Sequence, residues 1–385
     1  MSGAVRRPRS PRAGPAAPEP SGIYVHVPFC LTRCGYCDFN AYAGLDHLAP
    51  RYVRALLREV ELAAPSWSDE RIVSVFLGGG TPTTLAVADL KAVLAQLRDR
   101  LRVTVDAEVT IEANPDTVDR PKLEGLLAAG FQRLSMGAQS FDRAVLGALE
   151  RIHDPDSVRR AVRDARAAGY RNVNLDLIYG AHGESLASWE RTLWEAVDLE
   201  PEHVSAYALT IEPSTPLGRR VQAGAEPAPD PDVQADMFEI ACRILADAGY
   251  RHYEVSNWAK PGFECVHNLG YWERRPYLGL GAGAHSYRGE RRWWNVRPPE
   301  EYMLRVGSGR LPMGGEERLD PSDAYLEEVF LRLRILTGVP SSWLEPDKVR
   351  PFLEDGLLFD RGGALVPTER GMLLLNELVL ALTGG

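Results

Sequence analysis

"LLAAGFQRLSM" runs from Leu126 to Met136, and the architecture of the chain is written in this junction. A helix-spaced apolar pattern ends on Ala-Gly, an aromatic residue follows, and a β-rich run begins. The same sequence of events recurs in "ARAAGYRNVNL" from Ala165 and "LADAGYRHYEV" from Leu245. Gly130, Gly169 and Gly249 fit the position just past a helix, where glycine alone adopts left-handed backbone without a steric penalty. The chain therefore repeats one helix-to-strand unit.

Further β-rich runs begin at Ile23 ("IYVHV"), Arg71 ("RIVSVFL"), Ala107 ("AEVTIEA"), Gln132 ("QRLSMGA"), Asn172 ("NVNLDLIY") and His203 ("HVSAYAL"). Segments such as "RYVRALLREVELAA" and "DLKAVLAQLRDRL" lie between them, with apolar positions three and four apart. About six alternating strand–helix units predict a parallel sheet closed wholly or partly into a barrel, an α/β fold of (β/α)6 type. In such barrels chemistry collects where strands end. The unusual residues sit there: a cysteine cluster after the first strand, Gly78 to Gly80 after the second, Glu112 before Asn114-Pro115, then Gln139, then Asp176.

After Pro213 the pattern changes. "VQAGAEPAPDPDVQ" (Val221 to Gln234) reads as a linker, followed by a helix–strand unit and the irregular stretch from Ser256 to Tyr287. From about Pro321 onward, "DAYLEEVFLRLRIL" and "TERGMLLLNELVLAL" read as helices and "GGALVP" as a small wing. The expected organisation is a disordered tail over 1–20, a barrel core over 21–215, an accessory α/β segment over 216–315 and a winged-helix-like helical domain over 316–385.

Among 385 residues, 45% are hydrophobic and 25% charged, ordinary for a globular protein. A formal net charge of -9 argues against a nucleic-acid binder that works by neutralising phosphates. No apolar run approaches the roughly 20 residues of a transmembrane helix. The Arg/Pro/Ala-rich start lacks the apolar stretch of a secretory signal, so the expected compartment is the reducing cytoplasm, with association at a membrane surface left open.

"CLTRCGYCDFN", Cys30 to Asn40, holds three of the five cysteines. A structural zinc would take His26, Cys30, Cys34 and Cys37, but His26 lies in the strand and must reach back past Pro28. The spacing C-x-x-x-C-x-x-C, with Gly35 easing the loop, speaks against unrelated thiols. An iron–sulfur cluster held by Cys30, Cys34 and Cys37 leaves one iron without a protein ligand, the open position that a metal-bound substrate requires. Cys242 and Cys265 are the remaining thiols.

With Tyr36 before its last cysteine, this spacing resembles the radical S-adenosylmethionine superfamily. In that family the open iron of a [4Fe–4S] cluster chelates S-adenosylmethionine, and an electron from the cluster cleaves it to a 5′-deoxyadenosyl radical. The resemblance narrows to oxygen-independent coproporphyrinogen dehydrogenases and their HemW-type relatives, through "YVHVPFC", "GGGTPT", "EANP", "SMGAQSF", "RIH" and "NLDLIYG". It implies that Tyr24, Tyr36, Gly79, Gly80, Thr81, Glu112, Gln139, Arg151 and Asp176 line the S-adenosylmethionine pocket. Glycines there admit close backbone approach, the carboxylates accept from ribose hydroxyls or an ammonium, and Arg151 pairs with a carboxylate.

Two departures separate the branches. The dehydrogenases resembled carry a further cysteine where this chain has Phe39. "HNLGYW" reads H-N-x-x-Y-W and resembles the heme-binding signature of the HemW heme chaperones. The resemblance implies that His267 ligates heme iron, with Cys265 as the alternative, that Asn268 orients the ligand or bonds a propionate, and that Tyr271 and Trp272 pack on the porphyrin. Three functions stay open: a heme chaperone serving acceptor hemoproteins and drawing on an electron donor, a coproporphyrinogen dehydrogenase, and a zinc-stabilised barrel of unrelated role.

Overall fold

The computed structural model describes residues 19–384; the tail expected over 1–20 lies outside them, apart from Glu19 and Pro20, and Pro20 already opens the first strand. Six strands run parallel and adjacent in chain order: β1 (Pro20–Val27), β2 (Arg71–Gly79), β3 (Val103–Ala113), β4 (Arg133–Gln139), β5 (Val173–Tyr179) and β6 (His203–Ala208). The crossovers carry α1 (Ala49–Ala63), α2 (Val87–Arg100), α3 (Arg120–Ala129), α4 (Pro155–Ala168) and α5 (Leu186–Asp198). The three repeated glycines have φ of +105°, +103° and +86°, as their sequence position predicts.

Strand alternation sorts the side chains into two environments. Val25, Leu77, Ile111, Met136, Leu175 and Ala206 belong to one apolar core together with helical residues such as Leu56, Leu94 and Val162. Their strand neighbours point inward and are mostly polar: Ser74, Glu108, Glu112, Ser135, Asp176 and Ser205. The strands therefore enclose a polar lumen inside an apolar sleeve.

The segment over 216–315 extends the same sheet at both edges. β7 (Arg251–Glu254) and β8 (Asn257–Ala259) add antiparallel beyond β6, while β9 (Tyr277–Leu280) pairs parallel with β1. β10 (His285–Arg288), β11 (Arg291–Asn295) and β12 (Met313–Arg318) continue antiparallel beyond β9, giving twelve strands in all. Passing from β8 to β9, the chain crosses the open seam of the partial barrel through α6 (Val266–Trp272), the helix that carries the H-N-x-x-Y-W motif.

The expected linker is shorter than its composition suggests. Pro216–Gln222 is helical, and Pro231 begins a 17-residue helix ending at Asp247, because Asp230 caps the Asp232 and Val233 amides and proline suits the first helical turn. Beyond β12, the helices Pro321–Arg332, Pro346–Glu354, Glu369–Leu373 and Leu375–Thr383 surround a three-stranded sheet formed by Val339–Pro340, Ala364–Pro367 and Leu358–Asp360. Among the described residues, no helix is long and apolar enough to cross a membrane.

One buried carboxyl joins the barrel to the accessory strands. Glu59 on α1 accepts from Tyr302 Oη (2.7 Å), the Gly281 amide (2.7 Å) and Asn295 Nδ2 (2.6 Å). Burial still pushes its pKa up to about 7 against these three donors. Glu254, buried beside Trp272, is pushed up to about 8 by the same cause. From pH 5 to pH 7 or 8 the folded chain keeps protons that the unfolded chain releases, so stability falls as pH rises, by about 1.4 kcal/mol per unit for each group. Denaturant titrations between pH 5 and pH 8 should show this decline, and the double substitution Glu59→Gln, Glu254→Gln should reduce its slope; an unchanged slope would mean that neither group titrates in this window.

Candidate functional site

Three thiols meet at the C-terminal mouth of the barrel. β1 ends just before Pro28, and the loop that follows carries Cys30, Cys34 and Cys37 into a cavity of about 460 Å³. All the residues expected to hold S-adenosylmethionine line this cavity except Tyr24; they are Tyr36, Gly79, Gly80, Thr81, Glu112, Gln139, Arg151 and Asp176. Tyr24 lines a neighbouring cavity, where its hydroxyl bonds His26 Nδ1 at 3.1 Å.

A run of hydrogen bonds frames the thiols. Cys30 Sγ lies 3.6 Å from Thr81 Oγ1, which accepts from Asn114 Nδ2 at 3.0 Å. Asn114 Oδ1 in turn accepts from Arg151 Nη2 at 2.7 Å, and Arg151 Nη1 reaches Cys34 Sγ at 3.4 Å. Arg151 Nε is buried without a hydrogen-bond partner among the described residues, a donor left over at the cavity wall. Asn114 lies inside the quoted "EANP" yet was not among the expected site residues. Its polar side chain just past the third strand was the available signal.

The glycines also shape the cysteine loop itself. A Cβ on Gly80 would stand 2.6 Å from the Phe29 carbonyl oxygen and 2.8 Å from that of Val27, so glycine lets the β2 turn lie against the start of the cysteine loop. The Gly80 and Thr81 amides donate to those same carbonyls, at 2.8 Å and 2.7 Å. Gly79, at φ +108°, donates to Glu112 Oε2 at 3.0 Å. At the end of β4 a register shift leaves Gln139 at φ +63°, a strained value for a non-glycine residue, and aims it at the cavity.

Burial pushes the Glu112 carboxyl up to about 8, with the nearby Asp176 charge adding to it and the Gly79 amide opposing it. Burial raises Asp176 as well, against donors from Ser205, Asn174 and Ser135. The Cys37 thiol rises to about 11 and that of Cys30 rises too, again chiefly through burial. These thiols hold their protons until a metal displaces them.

The residues fit an iron–sulfur cluster better than zinc. His26, the fourth ligand zinc would need, has both ring nitrogens engaged, with Tyr24 Oη and with the Asn40 carbonyl at 2.9 Å. No three His, Cys, Asp or Glu side chains among the described residues are grouped to hold one metal ion. A cubane cluster spreads its thiolates over separate irons, which suits three sulfurs set around one cavity.

The motif on α6 sits at the opposite, N-terminal end of the lumen. Glu108 accepts from the Val266 and His267 amides, both at 3.1 Å, and from Cys265 Sγ at 3.5 Å. His267 is buried; its Nδ1 meets Ser74 Oγ at 2.9 Å and its Nε2 meets Tyr271 Oη at 2.9 Å, with Phe76 stacked at 5.2 Å. Burial lowers its pKa to about 3, so it is a neutral imidazole with both nitrogens occupied. Cys265 is fully buried, its thiol pushed up to about 12. Tyr271 reaches the second cavity, of about 560 Å³, whereas Asn268 and Trp272 line neither. The two cavities share Asp38, Phe39, Gly79 and Glu112 as walls.

A partial parallel barrel with this cysteine loop at its mouth defines a radical S-adenosylmethionine protein, and the Radical SAM superfamily profile matches residues 24–196. The chain is 44% identical over 380 residues to the heme chaperone HemW of Mycobacterium tuberculosis (strain CDC 1551 / Oshkosh), covering 97% of each. It is 36% identical to HemW of Escherichia coli (strain K12), covering 94% of this chain and 97% of that one. In fold it is similar to the radical SAM enzyme coproporphyrinogen III oxidase (HemN) of Escherichia coli, with a TM-score of 0.82 at 25% identity over 95% of this chain and 90% of that one. The chain belongs to the HemW family. Its superfamily carries a [4Fe–4S] cluster and S-adenosylmethionine.

After anaerobic reconstitution, Cys30→Ser, Cys34→Ser and Cys37→Ser should each abolish the iron–sulfur absorption band. Cys242→Ser, in a thiol packed between helix and sheet near His252, should leave iron and sulfide content unchanged. A wild-type band surviving any of the three loop substitutions would exclude that cysteine as a ligand.

Proposed function

We propose that this chain is a heme chaperone: it binds heme beside a [4Fe–4S]/S-adenosylmethionine site and delivers it to acceptor hemoproteins. The full-length likeness to proteins named heme chaperone HemW carries the reading. Its physical support is the second cavity, which opens against the cofactor cavity and is walled by Tyr24, Tyr271, Tyr277, Trp294 and Phe39. Flat aromatic walls suit a flat ligand.

The cluster, once bound, supplies the open iron and the electron that superfamily chemistry uses. The chain's own residues hold and orient: Thr81, Asn114 and Arg151 brace the cysteine loop, while Glu112 and Asp176 offer acceptors to the hydroxyl and ammonium groups of S-adenosylmethionine. The motif helix builds the floor of the second cavity. His267 fixes the Tyr271 hydroxyl, and ligation of iron by His267 requires one ring nitrogen to be released, from Ser74 or from Tyr271, while the other keeps its partner. Trp272 packs beside Glu254 and holds the helix down. An electron donor in a reducing cytoplasm serves the cluster, and hand-over to respiratory hemoproteins would bring the chain to a membrane surface.

Oxygen-independent coproporphyrinogen dehydrogenation is the second reading, favoured by the fold likeness to HemN. Reconstituted protein, assayed in parallel, separates the two. The chaperone reading expects a Soret band that saturates at one heme per chain, transfer of that heme to an apo-hemoprotein, and no vinyl product from coproporphyrinogen. Absence of heme binding, with substrate-dependent release of 5′-deoxyadenosine and formation of vinyl groups, would reverse the assignment.

A further inference from the structure

We propose that the second cavity is where this chain holds heme, and that His285 presents the imidazole nitrogen to the iron while Arg297 pairs with a propionate. The inference rests on the chaperone reading and adds a site and a ligand to it.

The cavity, at about 560 Å³, lies within the range of roughly 300–1,000 Å³ usual for small-molecule sites. Two histidines line it. His26 has both nitrogens committed inside the barrel. His285, at the start of β10, is exposed, and its ring has no hydrogen-bond partner among the described residues. Burial of part of the ring and the charges of Arg297 and Arg292 lower its pKa, against the opposing charge of Glu317, a direction that favours the neutral imidazole that binds iron.

Its neighbours supply the rest of a metalloporphyrin site. His285 pairs across the sheet with Trp294, and the rings stack at 5.7 Å and 26°. The Trp294 ring is backed by Gly315, where a Cβ would fall 2.5 Å from it, so it lies flat on bare backbone. Phe39, 60% exposed, stands on the rim shared with the cofactor cavity. Arg297 is exposed and makes no ion pair among the described residues, whereas Arg292 is held by Glu317 and Glu327. A free imidazole, aromatic walls and an unpaired guanidinium match the three chemistries of heme: iron, macrocycle and carboxylate.

The test compares ferric heme with iron-free protoporphyrin IX on the reconstituted full chain. His285→Ala and His285→Gln should each weaken ferric heme roughly tenfold and remove the imidazole signature from its spectrum, the loss expected when an axial ligand goes. Added imidazole should restore that signature to the alanine variant, and iron-free protoporphyrin should bind both variants as it binds the wild type. Arg297→Gln should weaken both ligands but leave the protoporphyrin dimethyl ester unaffected. If wild-type protein binds heme and both His285 variants keep its spectrum and affinity, the His285 assignment fails alone. If the wild type takes up no heme, the chaperone reading fails and this site with it.

Discussion

A parallel sheet that rolls toward closure with a polar inner face cannot leave its seam open. Glu108, Arg133, Asn174 and His203 line the lower lumen, and polar groups withdrawn from the surface need partners. Asn174 is satisfied within the sheet: it donates to Ser135 and Asp176 and bonds His203 Nδ1 at 2.6 Å. Arg133, fully buried, lies in the field of Cys265, Glu108, Tyr253 and Asp176. Glu108 finds its partners outside the sheet, in the first amides of α6, where a carboxylate also meets the positive end of the helix. The H-N-x-x-Y-W helix is thus the lower plug of the barrel. Its charge balance is bound up with the lumen, and so is its histidine.

The upper end obeys a different constraint. Thiolates on a cluster carry negative charge, and Glu112 and Asp176 share the same cavity. Burial pushes Glu112 up to about 8 and raises Asp176 as well, so both carboxyls resist carrying charge there. S-adenosylmethionine, bound as proposed, would bring an ammonium and a sulfonium, opposite charges for these carboxylates to face. Arg151 is the cation already in place, drawn to Cys34 on one side and tied through Asn114 and Thr81 to Cys30 on the other. The cysteine loop is braced at two of its three sulfurs by residues from the connections that follow three different strands.

The barrel and the thiol site were legible because they depend on local signals. Left-handed glycines after helices, alternating strands and a cysteine loop are each short in sequence. The accessory segment was not legible in the same way. Nothing in "SNWAKPGFECVHNLGYWERRPYLGLGAGAHSY" reveals that its two halves pair with opposite edges of one sheet, since that pairing spans more than 200 residues between β1 and β9. The linker was overread because Pro231 and Asp232 look like loop residues until Asp230 is recognised as a cap. His267 carries a local motif, whereas His285, after "GLGAGA", carries none. Its meaning comes from Trp294 and Arg297, which reach it only through the β10–β11 hairpin.

Phe39 stands between the two cavities. It occupies the position where the coproporphyrinogen dehydrogenases resembled by this chain carry a further cysteine, and it lies exposed on the wall between the two cavities. A thiol there would be a redox or radical partner within reach of anything in either space. A phenyl ring offers neither a proton nor a hydrogen atom that leaves readily, but it does offer a face for a flat apolar ligand. On the chaperone reading, phenylalanine at this shared wall leaves the cofactor side without a reactive thiol and gives the other side an aromatic surface.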